Sequence, residues 1–411
     1  MSTLAVSSWT LRRGAERSVV STLCLVGCVV GLTACTGKVD SAGASRQAAI
    51  DGGAPTAHGP GAPPVAPDHG PDGYYPGAGG DEDAGLVMPA PCVPANSANL
   101  GPVAGNAGAT CDGGGCQSGA GPVVLFGGFA DATMQSDTWE WDGAAWTQRD
   151  VVGPSARYDH AMASLAGKVV LFGGRVDGGP SDAVGDTWEW DGQAWTQRAV
   201  SGPSPRFGHA MAALNGRIVL FGGDINGRID RPTNPVGDTW EWDGAAWTQR
   251  CVSGPLARRH HSMTTVGGKV VLYGGEDASE APLSDAWEWD GIAWTQISVS
   301  PPTSAADPPA FVPTSGLTAV QGGAVLLGAF GSTSQTWNFA AGTWQEAVVT
   351  APSPRFSYGM TTLGGKAVVF GGEGYSLVSL NETWEWDGQA WTQRSVTNAP
   401  SARYSVAMAT K

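Results

Sequence analysis

The chain has 411 residues, including 61 glycines, 28 prolines and 18 tryptophans, a composition typical of a globular protein that also contains a biased region. Its 37 Asp and Glu residues outnumber its 23 Lys and Arg residues, and the formal net charge is -14. Binding to nucleic acid through a general electrostatic field needs clustered Lys and Arg, so this balance argues against a nucleic-acid partner.

Residues 1–34 have the pattern of an export signal. Arg12, Arg13 and Arg17 form a positively charged region, and an apolar stretch follows that ends in small residues before Cys35. We expect this stretch to be removed by cleavage rather than to span a membrane.

The residues Leu32-Thr33-Ala34-Cys35 resemble the bacterial lipobox. The resemblance implies that Cys35 is acylated, becomes the new N-terminus and is the only attachment of the chain to a membrane. Cys28 also ends a sequence that fits the pattern, but cleavage there would leave Val29 to Leu32 as needless apolar residues. Thr36 is not the Asp that, by resemblance to enterobacterial lipoproteins, favours the inner membrane. We expect a cell-envelope lipoprotein anchored in the outer membrane, with a secreted or periplasmic protein as the alternative.

Residues 35–120 are dominated by Gly, Ala, Pro and Ser, and they cannot bury enough apolar surface to offset the entropy of ordering. We predict a disordered tether that reaches on the order of 50 Å. Cys92, Cys111 and Cys116 lie near its end, and an exported protein can oxidise them. We predict a disulfide between Cys111 and Cys116, and no metal site there because no His lies nearby.

Residues 121–411 contain a repeated phrase, Thr-Trp-Glu-Trp-Asp-Gly-x-Ala-Trp-Thr-Gln. It starts at Thr138, Thr187, Thr239 and Thr383, with weaker copies at Ala286 and Thr336. Alternating residues, a tight turn and an apolar run that ends in a Gly pair precede the phrase, and Asp-Gly supplies a turn within it. Each unit therefore predicts four antiparallel strands, A to D, which is the size of a propeller blade. A Trp repeated in every blade is first explained by packing between blades.

This repeat resembles the kelch family, in which a Gly pair ends strand B, aromatic residues occupy strand C and a Trp opens strand D. The resemblance covers residues 121–411 and implies an all-β, six-bladed kelch-type β-propeller. The Trp of strand D follows sooner than in most kelch repeats, so we expect a shorter turn between strands C and D. The Gly pairs begin at Gly127, Gly173, Gly222, Gly274 and Gly371, with Gly328-Ala329 as an imperfect sixth copy.

The strand count predicts how the ring closes. Six B, C and D strands are present, but the first unit begins with strand B at Pro122. Its missing strand A is Arg403 to Thr410, at the far end of the chain. We therefore expect the C-terminal strand to pair into the first blade, which removes a free sheet edge.

The alternation of strand direction places the long, divergent B–C loops and D–A connections on one face of the ring, where binding residues are most often found. In five blades, strand A begins with an Arg on this face: Arg157, Arg206, Arg258, Arg355 and Arg403, whereas the fifth blade has Val312. If strand A is innermost, these arginines lie near the axial channel and could bind an acidic group. Alternatively, each ties its blade to a neighbour through a carbonyl or carboxylate.

Four further ligand-binding residues are predicted because each follows a Gly pair: Arg175, Asp224, Glu276 and Glu373. His160, His209 and His261 recur at one position of strand A, but equivalent residues of neighbouring blades lie on the order of 10 Å apart, too far for one metal ion. We predict no metal and no cofactor. His260 is an additional histidine that the other blades do not share.

Two function classes are consistent with these residues. The first is a monomeric, lipid-tethered recognition module whose loop face binds a protein or glycan at the cell surface, because no nucleophile, base and orienting group occur together. The second is a sugar-active enzyme, since kelch-like propellers include sialic acid mutarotases and copper-radical oxidases resembling galactose oxidase. The oxidase is disfavoured because Cys251, the only propeller cysteine, has no recognisable partner Tyr. A purely structural envelope role is the remaining alternative.

Overall fold

The computed structural model describes residues 121–177, 182–226, 232–298, 316–330 and 333–411, and the backbone of three two-residue strands. The chain divides into two units, residues 1–12 with 17–88, and residues 13–16 with 89–411. In the first unit, Leu11–Arg12 pairs antiparallel with Ser18–Val19. The predicted cleavage site, Cys35, the Cys111–Cys116 disulfide and the predicted tether apart from Val93–Pro94 lie outside the described residues. No helix in the described part of the chain has the length and apolarity for a membrane crossing.

The second unit is a six-bladed β-propeller, as predicted, and each blade is an antiparallel sheet with strands in the order A, B, C and D. The strands of blade 1 are Ala407–Thr410, Val123–Phe126, Thr138–Trp141 and Trp146–Arg149; of blade 2, Ala161–Leu165, Lys168–Phe172, Thr187–Trp190 and Trp195–Arg198; of blade 3, Ala210–Leu214, Arg217–Phe221, Thr239–Trp242 and Trp247–Cys251; of blade 4, Ser262–Val266, Lys269–Tyr273, Ala286–Trp289 and Trp294–Ile297; of blade 5, Gly316–Val320, Gly323–Phe330, Thr333–Ala340 and Thr343–Ala347; and of blade 6, Gly359–Leu363, Lys366–Phe370, Thr383–Trp386 and Trp391–Arg394.

The C-terminal strand closes the ring, which confirms the prediction. Ala407 pairs with Phe126 and Thr410 with Val123, so the last strand of the chain is strand A of blade 1. The amide of Gly121 also donates to the carbonyl of Lys411 over 2.8 Å. The edge of strand B in blade 1 is therefore paired rather than left open.

Strand B is a continuous apolar run because blades pack against both of its faces. In blade 2, Val169, Val170, Leu171 and Phe172 are at most 1 % exposed. An unbroken apolar strand of this kind is expected wherever a sheet is covered on both sides.

Tryptophans of strand D join each blade to the preceding one. The Trp195 ring meets the Phe126 ring edge to face at 5.4 Å, and its Nε1 donates to Thr138 Oγ1 over 2.9 Å. Trp146, Trp247, Trp294 and Trp391 make the same hydrogen bond to a threonine of strand C in the preceding blade. The core of the ring thus consists of interfaces between blades.

The Gly pairs end strand B because both glycines have positive φ. In blade 2, φ is 66° at Gly173 and 101° at Gly174, and a Cβ on Gly173 would lie 2.6 Å from the Arg206 carbonyl oxygen. Blade 5 has Gly328-Ala329 instead, and there the strand does not turn: strands B and C continue as a straight ladder to the pair Phe330 and Thr333. Alanine rarely adopts the required conformation, which explains the difference.

Short turns occupy one face of the ring and the B–C loops occupy the other, as predicted. In the C–D turn of blade 2, Gly192 has a φ of 101° and Asp191 Oδ1 accepts the amides of Gln193 and Ala194. We call the opposite face, which carries the B–C loops and the D–A connections, the loop face.

Blade 3 carries one additional strand on its outer edge. Val93–Pro94 pairs parallel with Arg250 and Cys251. Cys251 is disulfide-bonded. It is the only cysteine of the described residues, so its partner lies outside them.

Candidate functional site

The five predicted arginines lie at the start of strand A on the loop face and are at most 2 % exposed. Arg157 donates through both terminal nitrogens to Asp186, over 2.7 and 2.9 Å, and also to the Gly173 carbonyl over 2.9 Å. Three of the other arginines pair in the same way with a carboxylate of their own blade: Arg206 with Asp238, Arg258 with Asp285 and Arg403 with Asp137. Arg355 pairs with Glu382 through one terminal nitrogen, over 2.5 Å. Each guanidinium group is therefore already engaged within the propeller.

The same carboxylates also accept the indole N–H of a Trp two residues later, as Asp186 does from Trp188 over 2.7 Å. Burial alone would raise the pKa of Asp186, but the hydrogen bonds and the charge of Arg157 outweigh it and lower that pKa. Asp186 is thus held ionised opposite its arginine.

The sequence of blade 5 indicates that the arginine and its carboxylate are present or absent as a pair, because both are replaced there. It has Val312 in place of the Arg, and Gln335 occupies the position that an acid fills in the other blades. Gln335 still accepts the indole N–H of Trp337 over 3.2 Å. A buried carboxylate without its arginine would be costly, so the neutral residue is the expected companion of Val312.

The backbone of these arginines, rather than the side chain, reaches the neighbouring blade. The Arg157 amide donates to the Gln135 carbonyl, and the Arg157 carbonyl accepts from Gly128, both in blade 1. The arginine side chain bonds to a carbonyl and a carboxylate of its own blade. This differs from the alternative in which it would bond to the neighbouring blade. Ligand contact by these five arginines stays a prediction, and the proposals below depend on other residues.

The mouth of the axial channel is formed by the second residue after each arginine. In five blades this residue has a positive φ of 52° to 63°. We call these residues the mouth ring: Ser405, Asp159, Gly208, His260 and Ser357, of blades 1, 2, 3, 4 and 6.

Backbone hydrogen bonds connect the mouth ring from blade to blade. The Ser405 amide donates to Ser357, Asp159 to Ser405, Gly208 to Asp159 and His260 to Gly208, over 2.6 to 3.3 Å. Gly208 adopts this conformation without strain, whereas Ser, Asp and His do so at a cost. Strained non-glycine residues tend to occur at functional sites, so the side chains of the mouth ring are the first candidates for function.

His260 lies between two carboxylates. Its Nδ1 is 2.8 Å from Glu276 Oε1 and its Nε2 is 3.9 Å from Asp159 Oδ2. Burial alone would lower the pKa of His260, but hydrogen bonds and charge from Asp159 and Glu276 raise it to about 9. Burial is the largest single effect and raises the pKa of Asp159 and of Glu276, but His260, together with Ser405 and Arg175 at Asp159 and with Arg259 at Glu276, lowers both pKa values on balance. At neutral pH the site therefore holds an imidazolium between two carboxylates.

Arg259 extends this cluster and brings together two of the predicted residues. It donates to Glu276 over 2.8 Å and to Asp224 over 3.3 Å, and Glu280 lies 3.7 Å away. Asp224 is 1 % exposed, and its Oδ1 accepts the backbone amides of Asn226 and Asn234. Asp224 therefore shapes its loop, whereas Glu276 faces the mouth ring through His260.

The other two predicted residues lie apart from this cluster. The Arg175 guanidinium stacks on Phe207, 4.4 Å from the ring centroid, and lies 5.6 Å from the Tyr158 ring. Glu373 pairs with Phe356 in blade 6, and its charge acts on Tyr404 of blade 1. The structure thus distributes the four companion residues around the mouth rather than gathering them at one point.

A cavity of about 200 Å³ continues the mouth into the axial channel. His160, His209 and His261 line it beneath the mouth ring. They meet phenylalanine rings edge to face, as His160 does with Phe126 at 5.6 Å. Burial, with a smaller effect of Arg157, lowers the pKa of His160 to about 3, so this imidazole is neutral. Among the described residues, no group of three or more His, Cys, Asp and Glu side chains has the geometry of a metal site.

The sequence-based prediction of ligand-binding residues missed the mouth ring and selected residues that lie next to it. His260 drew attention as an unshared histidine, but Asp159, Ser357 and Ser405 did not. The available signal was variation within the repeat: the position two residues after each arginine reads Asp, Gly, His, Ser and Ser.

Comparisons with known proteins leave the family undetermined. No protein-family model matches the chain. No curated protein matches it either. The functional argument therefore depends on the geometry of the site.

Proposed function

We propose that this protein is a recognition module of the cell envelope whose mouth ring and surrounding loops bind a protein or glycan without catalysis. The Gly pairs and the tryptophans of strands C and D support a propeller of kelch type. The lipobox-like sequence before Cys35 supports a lipid anchor in the outer membrane. Both of these finer assignments are part of the proposal.

The observation that carries the proposal is the mouth ring. Five blades hold this position in the same left-handed conformation, yet it is occupied by four residue types, with only the serine shared by two blades. A role confined to the scaffold would be served best by glycine, as at Gly208. Different polar side chains on an identical backbone are what a binding surface on a rigid frame requires.

The charge state of His260 supports binding over catalysis. A general base works best when its pKa is near the operating pH and its basic form is populated. With a pKa of about 9, His260 is protonated at neutral pH and acts as a fixed cation. A hydrogen-bond donor flanked by Asp159 and Glu276 suits recognition of a polar ligand.

The test uses ligands selected on the full chain from a glycan array and from a random dodecapeptide display library. Asp159→Asn keeps a residue that tolerates positive φ but removes the charge, and the double variant Ser357→Gly, Ser405→Gly removes both hydroxyls while relieving strain. We expect each to weaken binding about tenfold, while thermal stability of the glycine variant is unchanged or higher.

The matched controls are Gln193→Ala and Gln389→Ala, which are exposed in C–D turns on the opposite face. They should bind the selected ligands as the unaltered protein does. Retained binding in the mouth variants, or equal loss in the turn variants, would contradict the proposal.

A sugar-active enzyme is the second candidate, because Asp159, His260 and Glu276 place three titratable groups at the channel mouth. Its test is the anomerisation of an acidic sugar followed by NMR, together with copper analysis of the purified protein. A rate above background that is abolished by Glu276→Gln would favour the enzyme over the recognition module.

A further inference from the structure

The B–C loop of blade 6 exposes three apolar side chains at its tip. Tyr375, Leu377 and Val378 are 52, 41 and 57 % exposed. Hydrogen bonds from Gly374 to Val378 and from Leu377 to Gly374 fix the turn. Leu377 has a φ of 57°, a conformation that costs leucine more than glycine. We call Tyr375 to Val378 the apolar turn.

The apolar turn adjoins the mouth ring. The Tyr375 ring meets the Phe356 ring at 5.2 Å with an interplanar angle of 85°, and Phe356 directly precedes Ser357. Two short strands, Arg355–Phe356 and Glu373–Gly374, pair antiparallel at the base of the loop, and Phe356 lies opposite Glu373. The turn is therefore braced by the strand that enters the mouth ring, and its position relative to the mouth is fixed.

The surroundings of the apolar turn are acidic. The B–C loops of blades 1 and 6, residues 127–137 and 371–382, contain carboxylates and no Lys, Arg or His. The described residues of blade 5, 316–330 and 333–350, contain no cationic residue either. The loop-face arginines of this sector, Arg355 and Arg403, are neutralised by Glu382 and Asp137.

Aromatic rings and carboxylates meet at the boundary of blades 6 and 1. Tyr404 packs on Phe129 at 5.5 Å between rings. Burial, followed by the charges of Glu373 and Asp159, raises the pKa of Tyr404 to about 12. A cation placed here would be attracted by Glu373 and by the ring faces, whereas Asp159 is already paired with the His260 imidazolium.

We propose that the apolar turn and the adjoining acidic B–C loops of blades 1 and 6 bind a polypeptide segment in which an apolar side chain lies next to a Lys or Arg. This inference rests on the proposed binding function and specifies its partner. Charge complementarity selects a cationic partner, the opposite of the acidic ligand that the arginines suggest from sequence. Leu377 and Val378 offer no hydrogen bonds and favour an apolar peptide side chain over a glycan.

The experiment selects peptides from the random dodecapeptide display library on the full chain. We expect enriched sequences to carry Lys or Arg within three residues of an apolar residue, and their affinity to fall as salt is added. The double variant Leu377→Ser, Val378→Ser and the variant Glu373→Gln should each weaken binding about tenfold. Leu377→Ser, Val378→Ser keeps both turn hydrogen bonds, which involve backbone atoms only.

Matched controls are the double variant Val152→Ser, Val348→Ser, which removes valines 93 and 94 % exposed elsewhere, and Glu346→Gln on the outer strand of blade 5. Neither should change the affinity. Enrichment of acidic or uncharged peptides, no enrichment, or equal loss in the controls would overturn the inference.

A glycan that binds and depends on Asp159 and Ser405, without any peptide that depends on the apolar turn, would overturn this inference and leave the proposed function in place. Peptides that lose affinity in the apolar-turn variants but bind normally to Asp159→Asn and to Ser357→Gly, Ser405→Gly would support the apolar turn as the docking surface. That second result would contradict the mouth ring as the binding site.

Discussion

Whether the indole N–H of Trp344 in blade 5 finds a hydrogen-bond acceptor depends on one residue of the preceding blade. In the other five blades, the equivalent Trp donates to a threonine that opens strand C of the preceding blade. Blade 4 opens strand C with Ala286, and Trp344 Nε1 is buried without a hydrogen-bond partner among the described residues. A single missing hydroxyl accounts for this unsatisfied donor.

We predict that Ala286→Thr restores the sixth hydrogen bond. Ala286→Val is the matched control, because it adds nearly the same volume without a hydroxyl. The threonine variant should be more stable than the valine variant by about 1 kcal/mol, the net value of one hydrogen bond. Chemical denaturation measures this difference, and equal stability of the two variants would show that the donor gains nothing from the hydroxyl.

His260 gives the protein a pH-dependent stability term. Its pKa is about 9 in the folded protein and 6.5 as the reference value. Because the folded value is the higher one, the stabilisation is fully present below pH 6.5 and is lost as the pH rises through 9. The two carboxylates beside it are the source of this term.

We therefore expect the unaltered protein to lose stability relative to His260→Asn as pH rises from 6.5 to 9. The loss should be on the order of 2 kcal/mol, after allowance for partial exposure of the imidazole. Denaturation curves of both proteins at several pH values measure it. Parallel pH profiles would mean that the imidazole is not held between charges.

At the scale of the element, the C-terminal strand carries the closure of the ring. Deleting residues 403–411 removes strand A of blade 1 and Arg403, and it exposes the apolar strand Val123–Phe126. We predict an aggregating or protease-sensitive protein, measured by thermal unfolding and limited proteolysis. Unaltered thermal stability after the deletion would contradict closure by this strand.

A circular permutant is the matched control for that deletion. Lys411 already bonds to Gly121 and Pro122. Joining Lys411 to Ala120 would create the Ala-Gly turn that blade 2 has at Ala166-Gly167. With new termini in another loop, this permutant should fold and resist protease, because every strand pair within the six blades is kept and only the pairing of Val93–Pro94 and the disulfide of Cys251 are lost.

At the scale of the whole molecule, the repeat made the blades, the closure and the loop face predictable from sequence. Periodic residues predict the strands, and the position at which the four-strand repeat breaks off indicates which strand is missing. The partners of the arginines were not predictable, because Asp186 lies 29 positions from Arg157 and only the fold brings them together. The mouth ring was harder still, since Ser, Asp and His do not by themselves signal a left-handed backbone.

The uneven composition of blade 5 has a mechanical consequence. A closed ring under load opens at its weakest interface, and among the described residues the interface between blades 4 and 5 is the one without the tryptophan hydrogen bond. In the sequence of blade 5, Val312 and Gln335 also stand at the repeat positions where the other blades have the arginine and its carboxylate. We therefore expect the ring to open first at the interface between blades 4 and 5. This interface lies on the side of blade 5 away from blade 6, which carries the apolar turn. A partner that pulls on the apolar turn would apply its force to blade 6, but the ring would open at the interface between blades 4 and 5, on the other side of blade 5.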